Sequence, residues 1–182
     1  QRLPNPALEA ASLRALSDLH LALKNPEKAR EAAKEARSVC EAAKDVKGEA
    51  SALYALAGAS LGEKDLGEAL RSVEEVQELG RRSGDRVVEV EALRTASNVH
   101  LVAREHGKAV QAMDRVRDAC RGFGDPRGEV AALQAKADLQ SREAEDASDA
   151  LREAREVGQQ AGDCGLEAAA LETAVRVHLR LA

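Results

Sequence analysis

The chain is 182 residues long, 44% hydrophobic but only 1% aromatic, and 32% charged with a formal net charge of −5. With no strongly basic stripe it is a poor electrostatic match for nucleic acid, and with no apolar run of about 18–20 residues it carries no span of membrane length. Alanine, leucine, glutamate, arginine and lysine outweigh β-branched and aromatic residues, which favours helix throughout and a core of small side chains on closely approaching helices.

The same start signals return along the chain. A first helix pair is expected over 6–23 and 26–43, opened by Asn5-Pro6 and Asn25-Pro26. Each step places a side-chain acceptor at the cap and a proline at the first helical position. The second pair, 46–63 and 66–82, starts at Asp45 and Asp65. The third, 86–104 and 107–121, starts at Asp85 and turns through Glu105-His106-Gly107. The fourth, 126–142 and 146–160, starts at Asp125-Pro126, but the next cap, Asp163, comes two positions sooner than the even spacing of Asp45, Asp85 and Asp125 requires. The missing positions fall near Ser141–Asp146, a stretch with no glycine or proline, which predicts either a tight turn or a later start for the second helix. A last, unpaired helix covers 164–181.

Sliding the sequence by the spacing from Asp45 to Asp85 lays Glu49, Ala52, Leu53, Leu61, Ala69 and Val76 onto Glu89, Ala92, Leu93, Leu101, Ala109 and Val116. Periods of about 20–50 residues mark solenoids, in which each unit buries its apolar face against its neighbours. The expected architecture is therefore an all-α solenoid, a single repeat domain over 1–182 with units at about 5–43, 44–83, 84–123 and 124–161 and a partial unit at 162–182. The chain opens on Gln1 and closes in mid-pattern at Leu181–Ala182, as expected of a segment of a larger protein.

The second unit reads Leu53, Leu56, Ala57, then Asp65, Ala69, Val73 and Val76, and the third gives Leu93, Ala96, Ser97, Ala109, Met113 and Val116. These columns resemble the large–large–small signature of the tetratricopeptide repeat family. The unit, measured from cap to cap, is similar to that family's longer-helix variety, found in spindle-orientation adaptors of G-protein signalling and in kinesin light chains. The resemblance implies a right-handed superhelix of about four helix pairs and a terminal helix, with first helices lining a concave groove. The chain departs from the family where aromatics are usual, reading His20, Ser60, His100, Gln140 and His178 in the first helices and Ala33, Val73, Met113 and Leu151 in the second.

Most of what repeats has a structural explanation. Glu9, Glu49, Glu89, Glu129 and Glu167 lie about one turn into the first helices, where a carboxylate favours the helix dipole or contacts the neighbouring unit. Cys40 and Cys120 share a column with Gly80 and Gly158, the place of a small packed residue. At about 8–10 Å per helical layer the two thiols lie roughly 20 Å apart, too far for a disulfide, which favours a reducing, intracellular and cytoplasmic setting. His20, His100 and His178 are spaced too widely to share a metal and read as packing histidines bonded to a carbonyl or nearby side chain. No Gly-rich phosphate loop, zinc-binding pair or nucleophile elbow is present, so no enzyme activity, cofactor or metal is expected.

Function is expected in the groove columns: Arg14 and Asp18, Tyr54 and Gly58, Arg94 and Asn98, Gln134 and Asp138, Glu172 and Arg176, flanked by Ser51, Glu91 and Arg142. Arg94 with Asn98 is suited to hold a carboxylate or peptide backbone, and Tyr54 is the expected aromatic anchor. The leading reading is an interaction scaffold that takes a partner protein or peptide along this face. The alternatives are a regulatory, ligand-sensing module of a larger protein, or a structural subunit of an assembly that associates through the exposed terminal helix.

Overall fold

A computed structural model describes residues 5–142 and 146–181. Among the described residues it is all-helical: α1 (Pro6–Ala22), α2 (Pro26–Ala43), α3 (Val46–Gly62), α4 (Leu66–Ser83), α5 (Arg86–Val102), α6 (His106–Phe123), α7 (Pro126–Arg142), α8 (Ser148–Gln160) and α9 (Cys164–Leu181). Caps set the starts. Asn5 accepts from the amides of Ala7 and Leu8, Asp45 from Gly48, Asp65 from Glu68, Asp85 from Val87 and Val88, Asp125 from Gly128, and Asp163 from Gly165 and Leu166. Glu105 makes no such cap; its carboxylate takes His100 Nδ1 and Lys108 Nζ, each at 2.8 Å.

Helix ends are equally regular. In seven turns a residue at positive φ lets two amides close back on the helix, as Lys44 and Asp45 do onto Glu41 and Cys40. In the fourth pair the second helix begins at Ser148, later than the expected 146, in line with the shortened spacing. The stretch expected to form that turn includes residues 143–145, which lie outside the described residues.

The chain packs as two compact units, Gln1–Val99 and His100–Ala182. In the first, Leu53, Leu56 and Ala57 of α3 meet Ala69, Val73 and Val76 of α4, and Ala33, Val88, Ala92 and Val99 close the same core. In the second, Val130, Leu133 and Ala137 of α7 meet Ala150, Leu151 and Ala154 of α8, with Ala170 and Val177 from α9. The core is alanine-rich, so each buried leucine, worth roughly 1.5–3 kcal/mol, carries a large share of it.

Consecutive pairs are joined by ion pairs that cross each hairpin junction. Glu49 faces Arg37 of α2 (4.0 Å), Glu89 faces Arg81 of α4 (3.2 Å), Glu129 faces Arg121 of α6 (2.5 Å), and Glu167 faces Arg155 of α8 (3.2 Å). The glutamate column thus contacts the preceding helix, as its position one turn in allowed. Size complementarity adds to this. Where the end of the second helix is Cys40 or Cys120, the facing residue is Gly48 or Gly128; a methyl group on either glycine would lie 2.6 or 2.7 Å from the sulfur. Where it is Gly80 or Gly158, the next helix comes so close that a Cβ would lie 2.7 or 2.8 Å from the amide nitrogen of Glu89 or Glu167.

Candidate binding surface

Within the first unit, α1 and α3 lie side by side, and the residues four apart on each converge. Arg14, Asp18 and Leu21 of α1 and Ser51, Tyr54 and Gly58 of α3 line a cavity of about 430 Å³. Gly58 keeps its floor low, with Leu21 Cδ1 3.5 Å from where a Cβ would sit. Arg14 donates from Nη1 to Ser51 Oγ. Its Nε is buried with no hydrogen-bond partner, and Arg14 makes no ion pair among the described residues, although Asp18 is one turn away. An unpaired buried donor of a charged group costs about 1–3 kcal/mol, so this atom has free energy to gain from an incoming acceptor.

Tyr54 is half-buried against the core, and its hydroxyl donates to Val88 O at 3.4 Å. Burial, followed by the charge of Glu91, pushes the phenol above its ordinary 10.0, so it stays a neutral donor. It therefore forms part of the cavity wall. Arg94 and Asn98 stand on α5, the next first helix; Asn98 is exposed and Arg94 Nε lies 3.9 Å from Glu91 Oε1. The pair is thus loosely held and open to solvent. The structure brings Arg14, Asp18 and Tyr54 into one cavity and leaves Glu91, Arg94 and Asn98 on the neighbouring helix.

In the second unit the other predicted residues are largely tied to each other. Arg176 of α9 bonds Asp138 of α7 at 2.8 Å, with Arg180 at 3.7 Å from the same carboxylate. Gln134 is partly buried and Glu172 exposed. Two features that the columns did not single out also matter here. Lys136 stands where the other units place Leu16, Leu56, Ala96 and Ala174, and it reaches Asp114 of α6 at 2.7 Å. A depression of about 770 Å³ lies among α6, α7 and α8, lined by Arg121, Glu129, Arg152 and Glu153. Its arginines are already paired, Arg121 with Glu129 and Glu153 and Arg152 with Asp149, so it offers less than the cavity at Arg14.

Two of the histidines make the local bonds expected of them, although His178 is exposed. His100 Nδ1 meets Glu105 at 2.8 Å and His178 Nδ1 meets Ala174 O at 2.7 Å. Among the described residues no cluster of histidine, cysteine or carboxylate has the make-up of a metal site, and no helix is long and apolar enough to cross a membrane.

No family model matches the chain, and no curated protein matches it either. Its likeness is to solved structures. Aspartyl phosphate phosphatase F from Bacillus subtilis is 11% identical over 88% of this chain and 43% of its own, with a TM-score of 0.66. A Rap protein complexed with competence and sporulation factor is 10% identical over 97% of this chain and 55% of its own, TM-score 0.64. The kinesin light chain TPR-like repeats of Podosopora anserina are 13% identical over 98% of this chain and 97% of theirs, TM-score 0.52. The chain spans about half the length of the first two. At these identities the likeness carries the fold: this chain is an α-solenoid of TPR-like helical repeats.

Proposed function

We propose that this solenoid is a protein-interaction module that takes an extended or helical segment of a partner across α1, α3 and α5, and that it is a binding surface and not a reaction centre. The observation that carries the reading is Arg14, a cation with a buried, unpartnered Nε in a cavity walled by Tyr54. Such a group gains from an acceptor on a ligand, and a half-buried aromatic beside it supplies rigid apolar contact. Arg94 and Asn98, loosely paired on the next helix, would extend the grip along the segment.

A second reading, a ligand-sensing regulatory module of a larger protein, is favoured by the likeness to a Rap protein bound to competence and sporulation factor. Both readings use the same face. Panning a random peptide display library against the chain tests them. Enriched peptides should bind Arg14→Ala and Arg94→Ala about tenfold more weakly at unchanged helical content, the scale of a lost charged anchor. Failure to enrich any peptide, or equal binding by both variants, would overturn the assignment.

A further inference from the structure

We propose that the cavity between α1 and α3 takes one tyrosine side chain of the partner segment, a choice that rests on the binding face assigned above. The repeat itself shows how the space arises. With the caps Asn5, Asp45, Asp85, Asp125 and Asp163 aligned, two columns of the first helices read Arg14 and Asp18, Tyr54 and Gly58, Arg94 and Asn98, Gln134 and Asp138, Glu172 and Arg176. Every unit but the second sets two polar side chains there. The second sets the chain's one tyrosine and a glycine. A Cβ at Gly58 would meet Leu21 Cδ1 at 3.5 Å, an ordinary contact, so helix packing does not require the glycine. What its missing side chain provides is the space, about 430 Å³, within the range of pockets that enclose a small ligand.

The lining chooses the occupant. Ala15, Leu21, Tyr54 and Ala55 supply apolar contact, and an aromatic ring packs well beside Tyr54, offset or edge to face. Arg14 and Asp18 line the same cavity, one turn apart, without pairing to each other. Among the described residues Arg14 has one hydrogen bond, from Nη1 to Ser51 Oγ, and Asp18 has none. A carboxylate or phosphate drawn to Arg14 is opposed by Asp18, and an ammonium drawn to Asp18 is opposed by Arg14. A neutral group that both accepts and donates meets neither penalty. The phenol is such a group: its oxygen accepts from Arg14 while its O–H donates to Asp18. Both bonds involve a charged partner, which makes them stronger than neutral ones. An apolar ring with that polar tip matches the walls and both charges at once.

Tyr54 is the only tyrosine in the chain, so ring-labelled tyrosine gives NMR signals from this cavity alone. The side chain is tested as p-cresol, against toluene, p-toluate and p-tolyl phosphate. p-Cresol should shift the Tyr54 signals with a Kd of about 1–10 mM, as suits a fragment of its size, and the other three should bind about tenfold more weakly. Gly58→Leu, which refills the column at a position with room for it, should abolish the shift at unchanged helical content. Asp18→Asn should weaken p-cresol and strengthen p-toluate, a reversal that only opposed charges in one site produce. In peptides enriched by panning, replacing a tyrosine by phenylalanine should cost about tenfold in affinity. Toluene or p-toluate binding as tightly as p-cresol, or p-cresol binding Gly58→Leu as it binds the parent chain, would defeat the proposal. Peptides that need Arg14 but carry no tyrosine would leave the binding face standing and remove its tyrosine, whereas no peptide at all would remove both. p-Cresol binding alongside such tyrosine-free peptides would give the cavity to a free small phenol instead.

Discussion

Four positively charged residues hold a left-handed backbone at φ 55–64°: Lys44 in the turn between pairs, where the later units have Gly84, Gly124 and Gly162, and Lys24, Lys64 and Arg104 in the turns within pairs. At Lys44 the chain thus uses a side chain where its own repeat elsewhere uses glycine, and in these turns within pairs it uses a cation each time. The left-handed conformation costs a Cβ-bearing residue about 1–2 kcal/mol, glycine returns about 0.5–1 kcal/mol of that through its greater unfolded freedom, and a cation near the last carbonyls recovers a few tenths more. Each exposed Lys→Gly change should therefore gain about 0.5 kcal/mol. Lys24→Gly, Lys44→Gly and Lys64→Gly are far enough apart in the chain to add, so the triple variant should melt roughly 3–6 °C higher. Thermal unfolding by circular dichroism checks this, and a lower melting temperature would show that the cations contribute more than the strain removes.

At the scale of the helix, the junctions between pairs show how much can be read from the columns. The caps made helix starts legible because each is a local exchange between one side chain and nearby amides, and eight of the nine starts fall beside the expected position. The ion pairs across the junctions were harder to see. The arginine that meets each glutamate keeps no fixed spacing: Arg37 and Arg155 stand one helical turn further ahead than Arg81 and Arg121, since a guanidinium reaches the same carboxylate from either turn. No single column holds it, although an arginine at one or other spacing was there to be found. The cysteine column was legible as a small-residue site, and its facing partner became visible only in three dimensions. A Cβ at Gly80 would press on backbone, which cannot give, whereas at Gly48 it would press on the Cys40 sulfur and the Asp45 carboxylate. Asp85 caps α5 with Val88 in the matching place, so that carboxylate can move. Gly80→Ala should accordingly cost about 1–3 kcal/mol in urea unfolding with no side-chain rescue, while the loss at Gly48→Ala should be recovered by Cys40→Gly. Equal stability of Gly80→Ala and the parent chain would refute the close approach.

Over the whole molecule the candidate surface was half-legible. The four-residue spacing placed Arg14, Asp18 and Tyr54 on one face, but which cation lacks an acid depends on rotamers, and no pattern of residues fixes those. Charge has a clearer consequence. With 32 acidic residues against 27 basic, the fold is laced by carboxylates that do structural duty, and several are held below their ordinary values. The Leu166 amide and then Arg127 lower Asp163, Gln159 and then Arg155 lower Glu167, Lys108 and then His100 lower Glu105, and Ser148 lowers Asp146. A carboxylate with a lower pKa folded than unfolded contributes stability that is complete above the unfolded value and is lost as pH falls through the folded one. The ordinary values here are 4.5 for glutamate and 3.8 for aspartate, so the contribution is complete above about pH 5 and fades below pH 4.5. These groups are solvent-exposed, and salt screens them, so each effect is small and their sum is what an experiment reads. The melting temperature should stay level from pH 7 to about 5.5, then fall steadily toward pH 3, and fall less from its own starting point in 1 M salt, where the Debye length is about 3 Å. Hydrogen exchange should show amides flanking Asp163 and Glu105 losing protection first on acidification, because the lowered carboxylates cap or brace those turns. A melting temperature unchanged between pH 5.5 and 3 would mean that the junction carboxylates add nothing to folding and that apolar packing of the alanine columns carries the solenoid unaided.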